Sequence, residues 1–184
     1  LTAFFKKTYH WRGIGKIGLA AALLARILPC AVTEEEKQGG KPDFTSKKMA
    51  PSIARLILRQ LEKLERFNTH RLAIATVYRE TIRSKKIKHP RVPTDRQSIF
   101  LRYTVLTSRA EELRKEAKHV NIFLGDWYCR AIAPEGVDYE KIRYDPAGCP
   151  GAEALAMRSL NLPTDISVSA DDAKRIAEFI NNHA

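Results

Sequence analysis

PSIARLILRQLEKLERFNTHRLAIATVYRETIR, residues 51–83, decides the fold. Ile53, Ile57, Leu61, Leu64, Phe67, Ile74, Tyr78 and Ile82 recur every three or four residues, with one gap near Arg71. That is the period of a helix, not the alternation of a strand. Pro51 suits the first helical position, because the N–H it lacks would have no partner there. Arg55, Arg59, Glu62, Lys63, Glu65 and Arg66 take the opposite face. The spacing predicts one long, interrupted amphipathic helix over 51–83. Burying one such apolar side chain contributes about 1.5–3 kcal/mol, and ordering each backbone residue costs about 1–2 kcal/mol. The helix is not stable alone, so its stripe must pack on something larger.

The rest of the chain is long enough to supply that body. Its 184 residues, 44% of them hydrophobic, suit one domain or one and a half with a real core. Cys30, Cys129 and Cys149 are odd in number, far apart and never in a C-x-x-C pair. This argues against a disulfide framework or a zinc site and fits a reducing cytoplasm. The net charge of +11 is uneven: residues 1–96 hold 21 Lys/Arg against 8 Asp/Glu, and residues 97–184 hold 11 against 13. Such asymmetry points to phosphate-bearing ligands, nucleic acid or an anionic membrane surface, and says nothing about fold.

Upstream of the helix, residues 1–33 carry Lys6, Lys7, Arg12, Lys16 and Arg26 and no acid, around an apolar run from Ile17 to Ala25. A run that short spans about 14 Å as a helix, against a hydrocarbon core of about 30 Å. It reads as a signal-like segment, as a basic amphipathic stretch on a membrane surface or another subunit, or as a cationic helix packed on the rest of a larger protein. Leu1 in place of a start methionine reads as a processed product or a fragment. Residues 34–44 form a polar Gly/Pro connector. The organisation is thus a basic N-terminal segment and linker (1–44), a long helix (45–83) and a C-terminal domain (84–184).

Downstream, residues 84–96 form a basic, proline-bearing loop. Ile99, Leu101, Tyr103 and Val105 alternate with Phe100, Arg102 and Thr104, which predicts a strand. Ser108 is placed to cap a helix over 109–118 with Glu111 and Glu112 in its first turn. Val120 to Leu124 predicts a second strand, followed by a turn at Gly125-Asp126-Trp127-Tyr128. Tyr144 precedes Gly148-Cys149-Pro150-Gly151-Ala152-Glu153, a helix through Arg158 and a short strand ending at Leu162-Pro163. Ser169 with Asp172 caps a last helix whose Ala173, Ile176, Ala177 and Ile180 share one face. The result is an α+β domain: a long helix and others over a short, mainly antiparallel sheet.

Two compound patterns carry a family resemblance. The first is Met49, a small residue and an Ala, Gln60-Leu61-x-x-Leu64, then Asn68, Arg71, Ala75 and Tyr78. The second is an aromatic, Cys149-Pro150-x-Ala152-Glu153, an Ala/Leu helix, Leu162-Pro163-Thr164 and a capped terminal helix. Over residues 43–184 the chain resembles the C-terminal half of DegT/DnrJ/StrS-type sugar aminotransferases. The resemblance implies the small domain of a fold-type I transferase, with 51–83 as the helix that crosses from the large cofactor domain. It further implies pyridoxal 5'-phosphate, an amino-acid donor (usually glutamate), a nucleotide-linked keto sugar as acceptor, and a homodimer. The setting implied is polysaccharide or cell-surface sugar synthesis in the cytoplasm, at the inner membrane surface if residues 1–33 anchor there.

Such chemistry needs a lysine to carry the cofactor and an acid on its pyridine nitrogen. No lysine here stands in the family's motif, so no catalytic residue is assigned and the chain alone is expected to be inactive. By the resemblance, Ser46, Lys47 and Lys48 occupy the segment that reaches a partner subunit's cofactor phosphate, where a hydroxyl and two cations suit an anion. Ser46 replaces the family's Asn. Trp127 and Tyr128 match the aromatic stretch near the substrate, with Trp127 in place of the usual histidine. Cys149 reads as buried packing. His10, His70, His89, His119 and His183 show no ligand spacing and read as polar surface, so no metal site is expected. The alternative is a non-enzymatic basic module for nucleic acid or an anionic membrane, although no zinc finger, RNP-like motif or helix-turn-helix accompanies the charge.

Overall fold

The computed structural model describes residues 17–18, 20–22, 25, 32–41 and 48–184. The chain divides into two compact units, Leu1–Asp43 and Phe44–Ala184. In the first, α1 (Glu34–Lys37) is closed by a capping box. Thr33 Oγ1 accepts from the Glu36 N–H, and the Glu36 carboxylate accepts from the Thr33 N–H. Most of residues 1–33, on which the expected membrane contact depends, lie outside the described residues. Among the described residues no helix is long and apolar enough to cross a membrane.

The second unit begins with the long helical stretch, which is two helices: α2 (Pro51–Leu61) and α3 (Leu64–Thr81). The interruption therefore falls at Glu62-Lys63, not near Arg71. Lys63 N–H bonds to Gln60 O at 3.1 Å, a tightened three-residue turn that ends the first ladder. A gap in the apolar stripe removes packing but leaves backbone hydrogen bonds intact, so the chain runs helically through Arg71. The stripe is also not uniformly covered. Ile53 and Leu61 are 51% and 54% exposed, whereas Ile74, Tyr78 and Ile82 are buried. Among the described residues, only the C-terminal part of the predicted apolar face finds a core.

That core forms where α3 packs against the last helix, α6 (Ala170–His183). Ser169 and Asp172 build the predicted capping box, and Ala173, Ile176, Ala177 and Ile180 are all buried. Asn181 on α6 closes the end of α3. Its side-chain oxygen accepts from the Arg83 and Ser84 N–H groups at 2.8 and 3.1 Å, and its amide donates to Thr81 O at 2.8 Å. Helix ends leave such backbone groups without intrahelical partners.

Beneath these helices lies an antiparallel pair, β1 (Tyr103–Leu106) and β2 (Ser159–Leu162), with Tyr103 opposite Leu162 and Leu106 opposite Ser159. The predicted strand from Ile99 starts later than expected. Phe100 takes a positive φ of 45°, which breaks the alternation; its ring is buried while Ile99 and Leu101 are exposed. Between the strands run α4 (Ala110–His119), a 3-10 turn at Pro146–Gly148 and α5 (Pro150–Arg158), with Pro150 at the helix start as predicted. Ser108 does not cap α4. The flanking residue is Arg109, whose N–H bonds instead to Thr107 Oγ1. Nor is 120–124 a strand. Asn121 leaves α4 at a φ of 57°, and the segment's ladder pairing with β2 is a single bridge from Gly125 to Asn161.

Tyr78 is wholly buried and donates to Pro163 O at 2.8 Å, tying α3 to the end of β2; burial pushes its hydroxyl pKa up. Tyr78→Phe leaves that carbonyl without its partner and is expected to cost about 1–3 kcal/mol. Ile180→Ala opens a cavity and is expected to cost about 2–5 kcal/mol. Leu58→Gln, on the exposed face of α2, should stay within about 0.5 kcal/mol. Urea denaturation followed by circular dichroism checks all three.

Candidate functional site

The two faces of the β1–β2 pair have different fates. Tyr103, Val105, Leu160 and Leu162 point into the core, while their neighbours Thr104, Leu106, Ser159 and Asn161 form the other face. Asn161 organises that second face. It is fully buried, accepts from Thr104 Oγ1 at 2.7 Å, and donates its side-chain amide to Trp127 O. Its own carbonyl accepts from the Gly125 N–H at 2.8 Å. Residues 125–127 are thereby fastened to the sheet. A Cβ at Gly125 would stand 3.1 Å from the Asn161 Cβ and 3.5 Å from an Arg102 guanidinium nitrogen, so only glycine fits this close approach comfortably.

The fastened turn presents Trp127 and Tyr128, which are 53% and 68% exposed. Their rings meet edge to face at 6.3 Å. Arg102 lies over the Trp127 ring at 4.4 Å, a cation–π contact. Tyr128 holds a φ of 63°, a left-handed conformation uncommon outside glycine. The pair is thus a supported, solvent-facing platform and not a core plug. Beside it, Thr104, Leu106, Tyr128, Arg130, Leu155 and Ser159 help to line a cavity of about 330 Å³. The Ser159 hydroxyl there is buried without a hydrogen-bond partner, and Arg130 pairs with Glu135 at 2.6 Å. A mainly apolar lining with a few polar groups is the usual make-up of a small-molecule site.

Of the residues singled out from sequence, Trp127 and Tyr128 come together at this face. Lys48 is exposed, and Ser46 and Lys47 lie outside the described residues. Cys149 is exposed, not buried, because it sits at the surface start of α5. Glu153, one turn into that helix, accepts from the Tyr144 hydroxyl at 2.6 Å. His89 is not polar surface: half-buried, it donates from Nε2 to Ile82 O at 3.3 Å and accepts at Nδ1 from the Tyr103 hydroxyl at 2.8 Å. Asn161, Ser159 and Arg102 were not singled out. The available signal was an Asn between two leucines in a strand, a polar group that burial obliges to find partners. Among the described residues no group of His, Cys, Asp and Glu is arranged to hold a metal.

The hydrogen bond to the Glu153 carboxylate pushes the Tyr144 hydroxyl up to about 12, since losing the proton would set two negative charges against each other. A phenol raised in the folded state favours folding below its ordinary value near 10, and that contribution fades as pH rises towards 12. Absorbance at 295 nm should show Tyr78, Tyr103 and Tyr144 ionising late in the native chain, Tyr144 through its bond to Glu153. Glu153→Gln should return its midpoint towards 10.

A family model for the DegT/DnrJ/EryC1/StrS aminotransferases matches residues 30–181. Solved structures are also similar to this chain. A DegT/DnrJ/EryC1/StrS aminotransferase from Brucella abortus aligns at 25% identity and a TM-score of 0.56, over 68% of this chain and 33% of its own. DesV from S. venezuelae, determined with a ketimine intermediate, aligns at 21% identity and a TM-score of 0.62, over 79% of this chain and 41% of its own. The aminotransferase TlmJ from Streptoalloteichus hindustanus aligns at 20% identity and a TM-score of 0.55, over 67% and 33%. No curated protein matches.

The chain therefore spans about a third to two-fifths of the length of these structures and has part of a pyridoxal-phosphate transferase fold. The family is dependent on pyridoxal phosphate. The cavity at Tyr128 has no lysine and no carboxylate in its lining, so the residues found there do not fit that cofactor by themselves. From the family match over residues 30–181 and the shared fold, this chain belongs to the DegT/DnrJ/EryC1/StrS aminotransferase family.

Proposed function

We propose that this chain is the substrate-side part of an aminotransferase that moves an amino group from an amino acid, glutamate in the first instance, to a nucleotide-linked keto sugar. The lysine that would carry the cofactor is not among its residues in this reading, and the chain alone does not transaminate. Ser46, Lys47 and Lys48 contribute to an anion contact across a homodimer, and the setting is the cytoplasmic stage of cell-surface sugar synthesis.

The observation that carries the reading is the Trp127–Tyr128 platform. Two large aromatic side chains are held in solvent by the Asn161 hydrogen bonds, with Tyr128 at the rim of a mainly apolar cavity. Exposed aromatics over a fixed backbone suit a planar base, because stacking needs surface and rigidity more than donors. Stacking of a base on one aromatic is worth about 1–3 kcal/mol. Tyr128 supplies one face and a hydroxyl, while Trp127 is held from behind by Arg102.

Titrating the chain with UDP and with dTDP, and following tryptophan emission, tests this. Saturable quenching is expected, lost in Trp127→Phe although Trp11 remains. Tyr128→Ala should raise the dissociation constant about five- to hundred-fold. No quenching by either nucleotide, or quenching that persists in Trp127→Phe, refutes the reading.

A further inference from the structure

We infer that Tyr144 and Glu153 are a positioning pair: their hydrogen bond latches the segment 129–149 onto α5 and so holds together the two walls of the cavity at Tyr128. One wall is Tyr128 with Arg130 and Ala131 at the start of that segment; the other is α5 itself, with Ala152, Leu155 and Ala156. The chain leaves the first wall and returns to the second at Pro150, so the segment joins them and the latch sets where its returning end lies. Its control over nucleotide binding rests on the reading above; the latch itself does not.

None of the described residues of 129–149 is buried, and none lies in a strand or in a helix beyond the 3-10 turn at Pro146–Gly148. A segment with so little burial opens locally at small cost unless polar contacts pin it. Loops of this length without secondary structure are usually binding loops, lids or linkers. The departing end is pinned by the Asn161 amide on Trp127 O. Several further bonds are internal: Arg130 pairs with Glu135 at 2.6 Å, the Lys141 N–H donates to Asp138 at 3.1 Å, and the Tyr144 N–H donates to Tyr139 O at 2.9 Å. Such bonds shape the segment without fixing it to the sheet or to α5.

Tyr144 makes the crossing. Its hydroxyl donates to Glu153 Oε1 at 2.6 Å, and the Tyr139 ring meets its ring edge to face at 5.2 Å, which restricts where that hydroxyl can lie. Glu153 stands in the first turn of α5, where a carboxylate suits the positive end of the helix dipole. A hydrogen bond with a charged acceptor is stronger than one between neutral groups. The Cys149-Pro150-x-Ala152-Glu153 pattern thereby gains a physical reason: Pro150 starts the helix, and Glu153 receives the returning segment. Tyr144 and Glu153 are only half-buried, so variants at either leave the core intact.

Hydrogen exchange of the full 184-residue chain, followed by mass spectrometry, tests the latch without any ligand. Tyr144→Phe should speed exchange over residues 130–144 about tenfold, the order that a hydrogen bond to a charged group carries, and leave β1, β2 and α6 within about twofold. Glu153→Leu should do the same, and the double variant should be no faster than either, because all three lose one bond. Glu153→Gln keeps an acceptor for the hydroxyl and should recover part of the protection. Any of three results overturns the inference: unchanged exchange, a speed-up spread equally over β1, β2 and α6, or effects that add in the double variant.

Saturating UDP then separates the latch from the nucleotide reading. A ligand that needs both walls binds the closed form, so UDP should slow exchange over 130–144 in the native chain; that result upholds both. UDP that quenches tryptophan emission but leaves this exchange unchanged shows that the latch does not shape the site, and overturns the inference alone. No quenching by UDP, with the variants behaving as expected, upholds the latch and counts against the nucleotide reading.

Discussion

Everything in the second unit depends on one antiparallel register, Tyr103–Leu106 against Ser159–Leu162. A two-stranded ribbon is marginal in water unless something covers it. Here α3, α4 and α6 cover one face, with Tyr103, Val105, Leu160 and Leu162 in the core. A slip of β1 by one residue would turn Tyr103 and Val105 outward and bury Thr104 and Leu106 in their place. Contacts beyond the strands hold the register. Tyr78 donates to Pro163 O, and the Thr164 hydroxyl reaches the Phe100 carbonyl at 2.8 Å. Because the register is held, the outward face can carry polar groups, and Asn161 can be buried there with its partners in place.

The same constraint explains why the long helical stretch leads two lives. From Ile74 onward it has the sheet and α6 to pack on, and its apolar side chains are buried. Before Leu64 it has no such neighbour among the described residues, and Ile53, Leu56 and Leu61 stay open. The turn at Glu62-Lys63 separates these regimes. An apolar helical face of this size is not a stable surface for a separate domain. It agrees with a chain that spans only a third to two-fifths of the structures it resembles.

Electrostatics follows the fold as well. In the linear chain the positive charge of residues 1–96 is diffuse and fits several partners. Folding draws Arg91, Arg96 and Arg102 around one concavity and sets Arg102 beneath Trp127. Charge that is only a solubility statement in sequence becomes a local field once walls of low polarity surround it. Acids are placed differently: Glu112 and Glu116 pair with Arg109 on the exposed side of α4, away from that concavity.

What the sequence determined by itself was the local grammar. The 3.6-residue stripe, Pro150 at a helix start, the Ser169–Asp172 capping box and the motif pair that places the chain in its family all act over a few residues. Hydrogen bonds of that range are written in neighbouring side chains, so they are legible in order. Tertiary structure decided the rest. It stopped β1 short at a positive-φ Phe100, left residues 120–124 out of the sheet with a single bridge at Gly125, exposed Cys149, and made Asn161 the anchor of a turn 34 residues earlier. A buried Asn and an exposed one are spelled alike. Which it is depends on what the far end of the chain brings beside it.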